Sequence, residues 1–303
     1  MLYLSSLEDA GKVCKALSAD MRLEILKLLY EQPEQSMNDL ATTLGLTNSA
    51  ITMHVGKLEE VGLVKIRKVA GKRGTMKLVS PCHERLIFDL SSGPFGATSF
   101  QDDVKIGYFT ACNVAPSCGM AAPSKLIGAV DDSSAFTFPE HFNADILWFS
   151  RGFVEYGLPN HLVAGQTLQE LRISFEISSE CPGYNDNYPS DIYFSINGVL
   201  LGFWESPGDF GSRTGYLSPG WWPRTYNQYG LLKTLVINDR GTFMDNTDKL
   251  SDVCLKDLKI DAGSLITLRL EVPKNATHCG GLTLFGEHFG DYRQSIRVQT
   301  FLL

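Results

Sequence analysis

The chain has no apolar run long enough to span a bilayer, and 20% of its 303 residues are charged. A helical membrane protein is therefore not expected. No secretion leader is read at its start. The 7 cysteines, at positions 14, 82, 112, 118, 181, 254 and 279, are odd in number and scattered. That usage fits free thiols in a reducing cytoplasm better than a disulfide framework, and the Asn275-Ala-Thr277 sequon then has no meaning. Phosphate-cradling glycine loops are missing as well. Asp209-Phe-Gly211 stands without any surrounding kinase motif, and no cofactor is expected.

What is present divides the chain in two. All 4 tryptophans, 22 of 28 glycines, 11 of 13 prolines and 29 of 32 aromatic residues lie after residue 90. Charge divides the same way. Residues 1–90 carry 12 Lys+Arg against 11 Asp+Glu (+1), and residues 91–303 carry 15 against 23 (−8). A chain of this length can bury two separate cores. The expected organisation is a helical domain over residues 1–90, a linker over 91–101 opening with Ser91-Ser-Gly-Pro-Phe-Gly96, and a β domain over 102–303.

The first domain reads as helices followed by a hairpin. Leu7, Ala10, Cys14 and Leu17 have helical spacing. Ile25, Leu28 and Leu29 form a second apolar stripe, with Ser18 or Asp20 as cap. Ser36, with Asp39 three residues on, opens a third helix whose buried side is Met37, Leu40, Ala41 and Leu44. Gly45 ends it, and Thr47 or Asn48 caps a fourth, in which Ile51, Val55 and Leu58 make one buried stripe. The opposite face carries Ser49, Thr52, Met53, Gly56 and Lys57, small or polar groups suited to a major groove. Two β-rich runs, 63–69 and 75–79, flank the glycine-bracketed tip Ala70-Gly-Lys-Arg-Gly74. Between residues 61 and 83 there is no acid, yet there are Lys65, Arg67, Lys68, Lys72, Arg73 and Lys77. Such a set suits phosphate contacts; the alternative is a solvated hairpin whose lysines serve solubility. Because the domain is only +1, its affinity for DNA is expected to be modest and salt-sensitive.

Ala16-Leu-Ser-Ala-Asp-Met-Arg-Leu-Glu-Ile-Leu-Lys-Leu-Leu29, followed in order by Ser49, His54, Leu58 and Gly62-Leu-Val64, resembles the arsenic-repressor-like (ArsR-type) winged-helix regulators. The resemblance covers about the first 90 residues. It implies a homodimer held by helices outside the helix–turn–helix, each recognition helix reading half of a near-palindrome in double-stranded DNA. It implies Asn48, Ser49, Thr52 and Met53 as base readers and His54 as a phosphate contact or packing residue. Met53 stands where the family often has arginine. Lys57, Arg67, Lys68, Lys72 and Arg73 complete the expected DNA-binding set. Gly56 costs a helix roughly 1 kcal/mol against alanine, which close approach to the DNA backbone would explain. Many such regulators sense soft metals through Cys-x-Cys on the third helix. Here that segment reads Ser36-Met-Asn-Asp-Leu40, and Cys82, His83, Glu84 and Asp89 lack the spacing of the family's other site. No metal site is expected, and Cys82-His83 is read as an exposed pair at a helix start.

The second domain reads as β throughout. Candidate strands are 104–110, 125–130, 146–156, 168–178, 192–196, 199–204, 231–238, 265–272, 282–285 and 294–302. Leu171, Ile173, Phe175 and Ile177 alternate with Arg172, Ser174, Glu176 and Ser178, the mark of a half-buried strand, and Asn197-Gly198 is a two-residue hairpin signal. The fold class is multidomain α+β: a winged helix-turn-helix followed by an all-β sandwich, jelly-roll-like.

The long loop from residue 204 to 229 is rich in glycine, proline and aromatics. Trp204, Asp209, Arg213, Tyr216, Trp221, Trp222, Arg224 and Tyr226 are its candidate ligand-binding residues. Flat apolar rings beside directional polar groups suit sugars, and long loops on β scaffolds commonly bind. The other reading is that Trp221 and Trp222 cap the sandwich and the arginines pair with local acids. Glu287 and His288 sit in a glycine-rich turn, and Glu170/Glu176 and Asp186/Asp191 are acid pairs of the kind that flank a glycosidic bond. The expectation is a cytoplasmic, non-enzymatic regulator. Its operator affinity answers to a small effector, with a carbohydrate as the chemical guess. The alternatives are a carbohydrate-active enzyme and a metal-sensing regulator.

Overall fold

The computed structural model describes residues 2–4, 7–71, 74–83, 86–88 and 98–303. Lys72, Arg73, Glu84 and Asp89 lie outside the described residues. The chain divides into two compact units, residues 1–95 and 96–303.

The first unit runs β1 (Leu2–Leu4), α1 (Leu7–Leu17), α2 (Asp20–Glu31), β2 (Gln35–Ser36), α3 (Met37–Leu44), α4 (Asn48–Glu60), β3 (Val64–Gly71), β4 (Gly74–Pro81) and β5 (Leu86–Phe88). The caps follow local chemistry. Ser36 accepts from the Asp39 backbone amide while Asp39 reaches back to the Ser36 amide, a closed capping box. Gly45 sits at φ 64°, the left-handed C-cap that a glycine takes without penalty. Thr47 accepts from the Ala50 amide at 3.2 Å and is the cap of α4. For α2 the expected cap is wrong: Ala19 occupies the position and offers no side-chain bond. Ile25, Leu29, Leu40, Ile51, Val55, Leu58 and Val79 are fully buried and fuse the helices and the β3–β4 hairpin into one core. Truncating one of them, Leu58→Ala for instance, carries the usual 2–5 kcal/mol cost. Cys82 and His83 do not begin a helix. They follow β4 directly, and β5 pairs in parallel with β1.

The second unit holds β6 (Thr98–Val104), β7 (Phe109–Ala122), β8 (Lys125–Ile127), β9 (Ile146–Leu158), β10 (Leu168–Ser178), β11 (Ser190–Ile196), β12 (Val199–Ser206), β13 (Leu231–Asn238), β14 (Gly241–Met244), β15 (Asp248–Ser251), β16 (Ile266–Val272), β17 (Leu282–Phe285) and β18 (Ile296–Leu302). They form one antiparallel, nearly barrel-like sheet of 13 strands in the order β12-β11-β16-β9-β17-β10-β13-β14-β15. β18 and β6 extend it beside β10, and β7 and β8 beside β9. Residues 98–101, read above as the end of a linker, form the first half of β6 and pair with β18. The strand expected at 104–110 does not exist as such: a turn at 105–108 separates β6 from β7. Asn197 and Gly198 turn the β11–β12 hairpin with φ of 50° and 77°, both positive as a type I′ turn requires.

β10 departs from the half-buried expectation. Leu171, Ile173, Phe175 and Ile177 are fully buried, but so are Glu176 and Ser178, and Arg172 is 5% exposed. The polar side of this strand is covered: Glu176 accepts backbone N–H groups from Gly230, Asp291 and Tyr292, which lie in the segments flanking β13 and β17. Gly290 permits that approach, since a Cβ there would lie 2.3 Å from the Glu176 carboxylate.

Candidate functional site

The first unit presents a helical face beside a basic hairpin. Burial of Ile51, Val55 and Leu58 turns the other side of α4 outward, leaving Asn48, Ser49, Thr52 and Lys57 exposed and Met53 at 59%. The Thr52 hydroxyl donates to the Asn48 carbonyl at 2.7 Å, and its oxygen keeps the capacity to accept. Among the described residues Lys57 makes an exposed ion pair to Glu60 at 2.8 Å, and Arg67 one to Glu34 at 2.8 Å. Pairs this exposed are worth little, so both cations are available to a phosphate. Lys68 stands opposite Lys77 in the β3–β4 ladder, both exposed. Like charges in register oppose each other unless an anion lies between them. His54 is half-buried and its Nδ1 has no hydrogen-bond partner among the described residues, which favours packing over phosphate contact for that nitrogen. Burial pushes the His83 imidazole down to about 4, so it is neutral at physiological pH.

In the second unit the expected loop residues scatter. Trp222 is 4% exposed, donates its indole N–H to the Asn227 carbonyl and packs with Trp148, Tyr226 and Phe289. Trp221 is 38% exposed and donates to the Pro123 carbonyl at 2.7 Å. Arg213 pairs with Asp291 and lies over the rings of Tyr216 and Tyr229. Trp204 lies on β12 beneath Lys233, 5.0 Å from its ring centroid. Arg224 is exposed. Asp209 is fully buried: one oxygen accepts from the Cys181 amide at 3.1 Å, while the other has no partner among the described residues.

Of these eight, Tyr226 lines a pocket of about 190 Å³ whose other walls include Ser117, Asp131, Trp148, Glu180 and Asn227. Sequence reasoning missed all five, because they come from five separate segments and only Asn227 lies in the loop that was singled out. Glu180, 7% exposed, is the hub. It accepts from Ser117 at 2.8 Å, from the Asn227 amide at 3.1 Å and from Thr283 at 3.3 Å. Burial, with Asp209 nearby, pushes its carboxyl well above the usual carboxylate range. Burial likewise pushes Asp209 up to about 7 and the Cys181 thiol up to about 12, so that sulfur is not a thiolate nucleophile at neutral pH. A carboxyl, an amide, a hydroxyl and two aromatic side chains thus line one small hollow.

A broader hollow of about 470 Å³ is lined by Lys105, Lys125, Phe142, Asp145, Glu287 and His288. Its central carboxylate is already committed, since Asp145 accepts from the Glu287 amide and from the His288 amide and ring. The expected acid pairs are committed too. Glu170 binds Arg172, Glu176 takes three backbone amides, Asp186 accepts from Gly211, and Asp191 binds His278. Among the described residues, one group brings three metal-ligand types together: Asp191, Glu205 and His278, with ligand atoms within 4.8 Å of one another. Both oxygens of Asp191 already meet His278, at its amide and its ring Nδ1, so these contacts also serve as a loop clamp.

Comparison with known proteins agrees with the first unit. Residues 19–65 match the winged helix-turn-helix DNA-binding family. A possible transcriptional regulatory protein from Mycobacterium bovis (fragment 1–100) is 29% identical over 26% of this chain and 78% of its own, with a TM-score of 0.23. Reduced HlyU from Vibrio cholerae is 33% identical over 24% of this chain and 74% of its own, TM-score 0.21. A transcriptional regulator homologue from Pyrococcus horikoshii is 24% identical over 23% and 75%, TM-score 0.20. No curated protein matches the chain. Among the described residues no helix is long and apolar enough to cross a membrane.

Proposed function

We propose that this chain, which carries a winged helix-turn-helix DNA-binding domain, is a sequence-specific transcription regulator of the ArsR type. In this reading it is dimeric, cytoplasmic and non-enzymatic, and its hold on double-stranded DNA answers to a small molecule, a carbohydrate, bound in the β-rich unit. The observation that carries the reading is the outward face of α4. Asn48, Ser49, Thr52 and Met53 are exposed there while Ile51, Val55 and Leu58 anchor the helix, the arrangement a reader of base edges needs.

The opposed Lys68 and Lys77 support a phosphate contact at the hairpin. Leu7 and Leu23, 61% and 46% exposed on α1 and α2, support a dimer contact outside the helix–turn–helix. The −8 charge of residues 91–303 argues against a second nucleic-acid surface there. A ligand in the β-rich unit acts on DNA affinity only through unequal affinity for the DNA-competent and incompetent dimers. DNA must then change ligand affinity by the same factor.

The test is a gel shift of the full chain on fragmented genomic duplex from its own organism. A discrete set of retained fragments, lost with rising salt, is expected. Uniform retention of every fragment, or none, overturns the sequence-specific reading.

A further inference from the structure

We propose that the pocket around Glu180 and Asn227 is the ligand site of the β-rich unit, and that it takes a neutral, hydroxyl-rich molecule the size of one monosaccharide while rejecting anionic sugars. The assignment deepens the sensor reading above and depends on it for the regulatory consequence alone.

Convergence is the first argument. Ser117 comes from β7, Trp148 from β9, Glu180 and Cys181 from the segment after β10, Tyr226 and Asn227 from the loop before β13, and Asp131 from the segment after β8. Distant parts of the chain supply one lining, and Asn227 is itself tied down. Its amide donates to Glu180 and to Thr283 (2.7 Å), and its carbonyl accepts from Trp222. The pocket is thus built on locked side chains, the condition for a preorganised site.

Size is the second. A cavity of about 190 Å³ falls below the roughly 300–1,000 Å³ of drug-sized sites. It has room for a single ring and not for an oligosaccharide.

Chemistry is the third. Trp148 and Tyr226 offer flat apolar surfaces, and Glu180, Asp131 and Ser117 offer hydroxyl partners. A pyranose or furanose has one apolar face and a hydroxyl rim, which this mixture complements. Ser117, Asn227 and Thr283 all donate to Glu180, so its carboxyl is held in one orientation as an acceptor at the wall of the hollow.

Charge sign is the fourth. Asp131 and Glu180 line the hollow, Asp209 lies behind Cys181, and among the described residues neither lysine nor arginine is in the lining. A phosphate or carboxylate on the ligand would lie among acceptor oxygens, with no cationic side chain among the described lining residues to pair with it. A compact cation meets a carboxylate whose oxygens are already shared among Ser117, Asn227 and Thr283.

The experiment uses the full chain. Tryptophan fluorescence and saturation-transfer NMR are recorded against glucose, galactose, mannose, xylose and arabinose, against glucose 6-phosphate and glucuronate, and against choline. Saturable binding of at least one neutral sugar is expected, with the anions weaker by roughly tenfold or more. Val130→Trp should abolish that binding. Val130 is 41% exposed at the pocket rim, so a large ring there obstructs the entrance without disturbing the core. Glu180→Gln should weaken binding by roughly tenfold, with circular dichroism and thermal melts confirming that both variants are folded. The proposal is overturned if no neutral sugar saturates, if the anions or choline bind as well, or if folded Val130→Trp binds like the parent. If a sugar binds as expected but leaves affinity for retained genomic fragments unchanged, the pocket assignment stands and the sensor reading fails.

Discussion

Asp291 accepts both terminal guanidinium nitrogens of Arg213, while its own backbone amide donates to buried Glu176. The long aromatic loop is therefore pinned to β10 through two consecutive acid contacts. The guanidinium is further held over Tyr229, 3.8 Å from the ring centroid. Arg213→Ala should lower stability by about 2 kcal/mol, less than the usual cost of breaking a fully buried pair because the side chain is 38% exposed. Arg213→Lys should recover only part of it, since an ammonium cannot make the two-pronged contact. Urea unfolding monitored by tryptophan fluorescence measures both. A midpoint unchanged in Arg213→Ala would show that the loop is not held this way.

At the hairpin, Lys68→Ala should weaken binding to every duplex by a similar factor and reduce the slope of log affinity against log salt by about 0.9, the share of one phosphate contact. Removal of Lys68 also relieves its opposition to Lys77, so the free protein should be no less stable. Anisotropy titrations at several salt concentrations, with a thermal melt alongside, check the two halves. An unchanged salt slope contradicts phosphate contact at this position.

Gly56 lies within α4, and a Cβ there would meet nothing within 4 Å. No packing among the described residues accounts for the glycine. Gly56→Ala should therefore stabilise the first unit by about 0.5–1 kcal/mol through helix propensity. If the DNA backbone comes close to this residue, the same change should weaken duplex binding. Higher stability with unaltered DNA affinity removes the close-approach explanation.

How much was legible in the sequence depended on how local the signal was. The helix–turn–helix could be read because Ser36, Gly45 and Thr47 act on backbone groups within a few residues, and because Ile51, Val55 and Leu58 repeat on one face. β7 was missed because Ala111, Pro116, Ser117 and Gly119 interrupt any alternation of apolar residues along it. The burial of Glu176 was not visible either. Its partners Gly230 and Asp291 are far away in the chain, and a charged residue in an alternating strand looks solvent-facing. The pocket failed to appear for the same reason, since Ser117, Glu180 and Asn227 meet only through the sheet order. The tryptophans of the loop drew the eye, but Trp222 serves as packing behind Trp148 and Tyr226.

Asp209 gives the β-rich unit a pH signature. Burial pushes its carboxyl up to about 7 from an ordinary 3.8. Between those values the native state keeps a proton that the unfolded chain has released. Stability therefore falls as pH rises from about 4 to about 7, and this residue adds no slope outside that window. Asp209→Asn cannot titrate, so its unfolding midpoint should fall less over the same range than that of the parent. Glu180 acts in the same direction and leaves a residual slope in the variant. Denaturant melts of both proteins from pH 4.5 to 8 decide it, and parallel curves would mean that Asp209 is ionised in the native fold.

The central claim is that the outward face of α4 reads duplex sequence, and selection from a random double-stranded library tests it most directly. The purified full chain and its Asn48→Ala and Thr52→Ala variants would be taken through identical rounds at low salt. The account predicts a near-palindromic motif with half-sites about one helical turn apart, altered at particular base positions in each variant. Enrichment of the same motif by all three proteins, or of none by the parent, would contradict it.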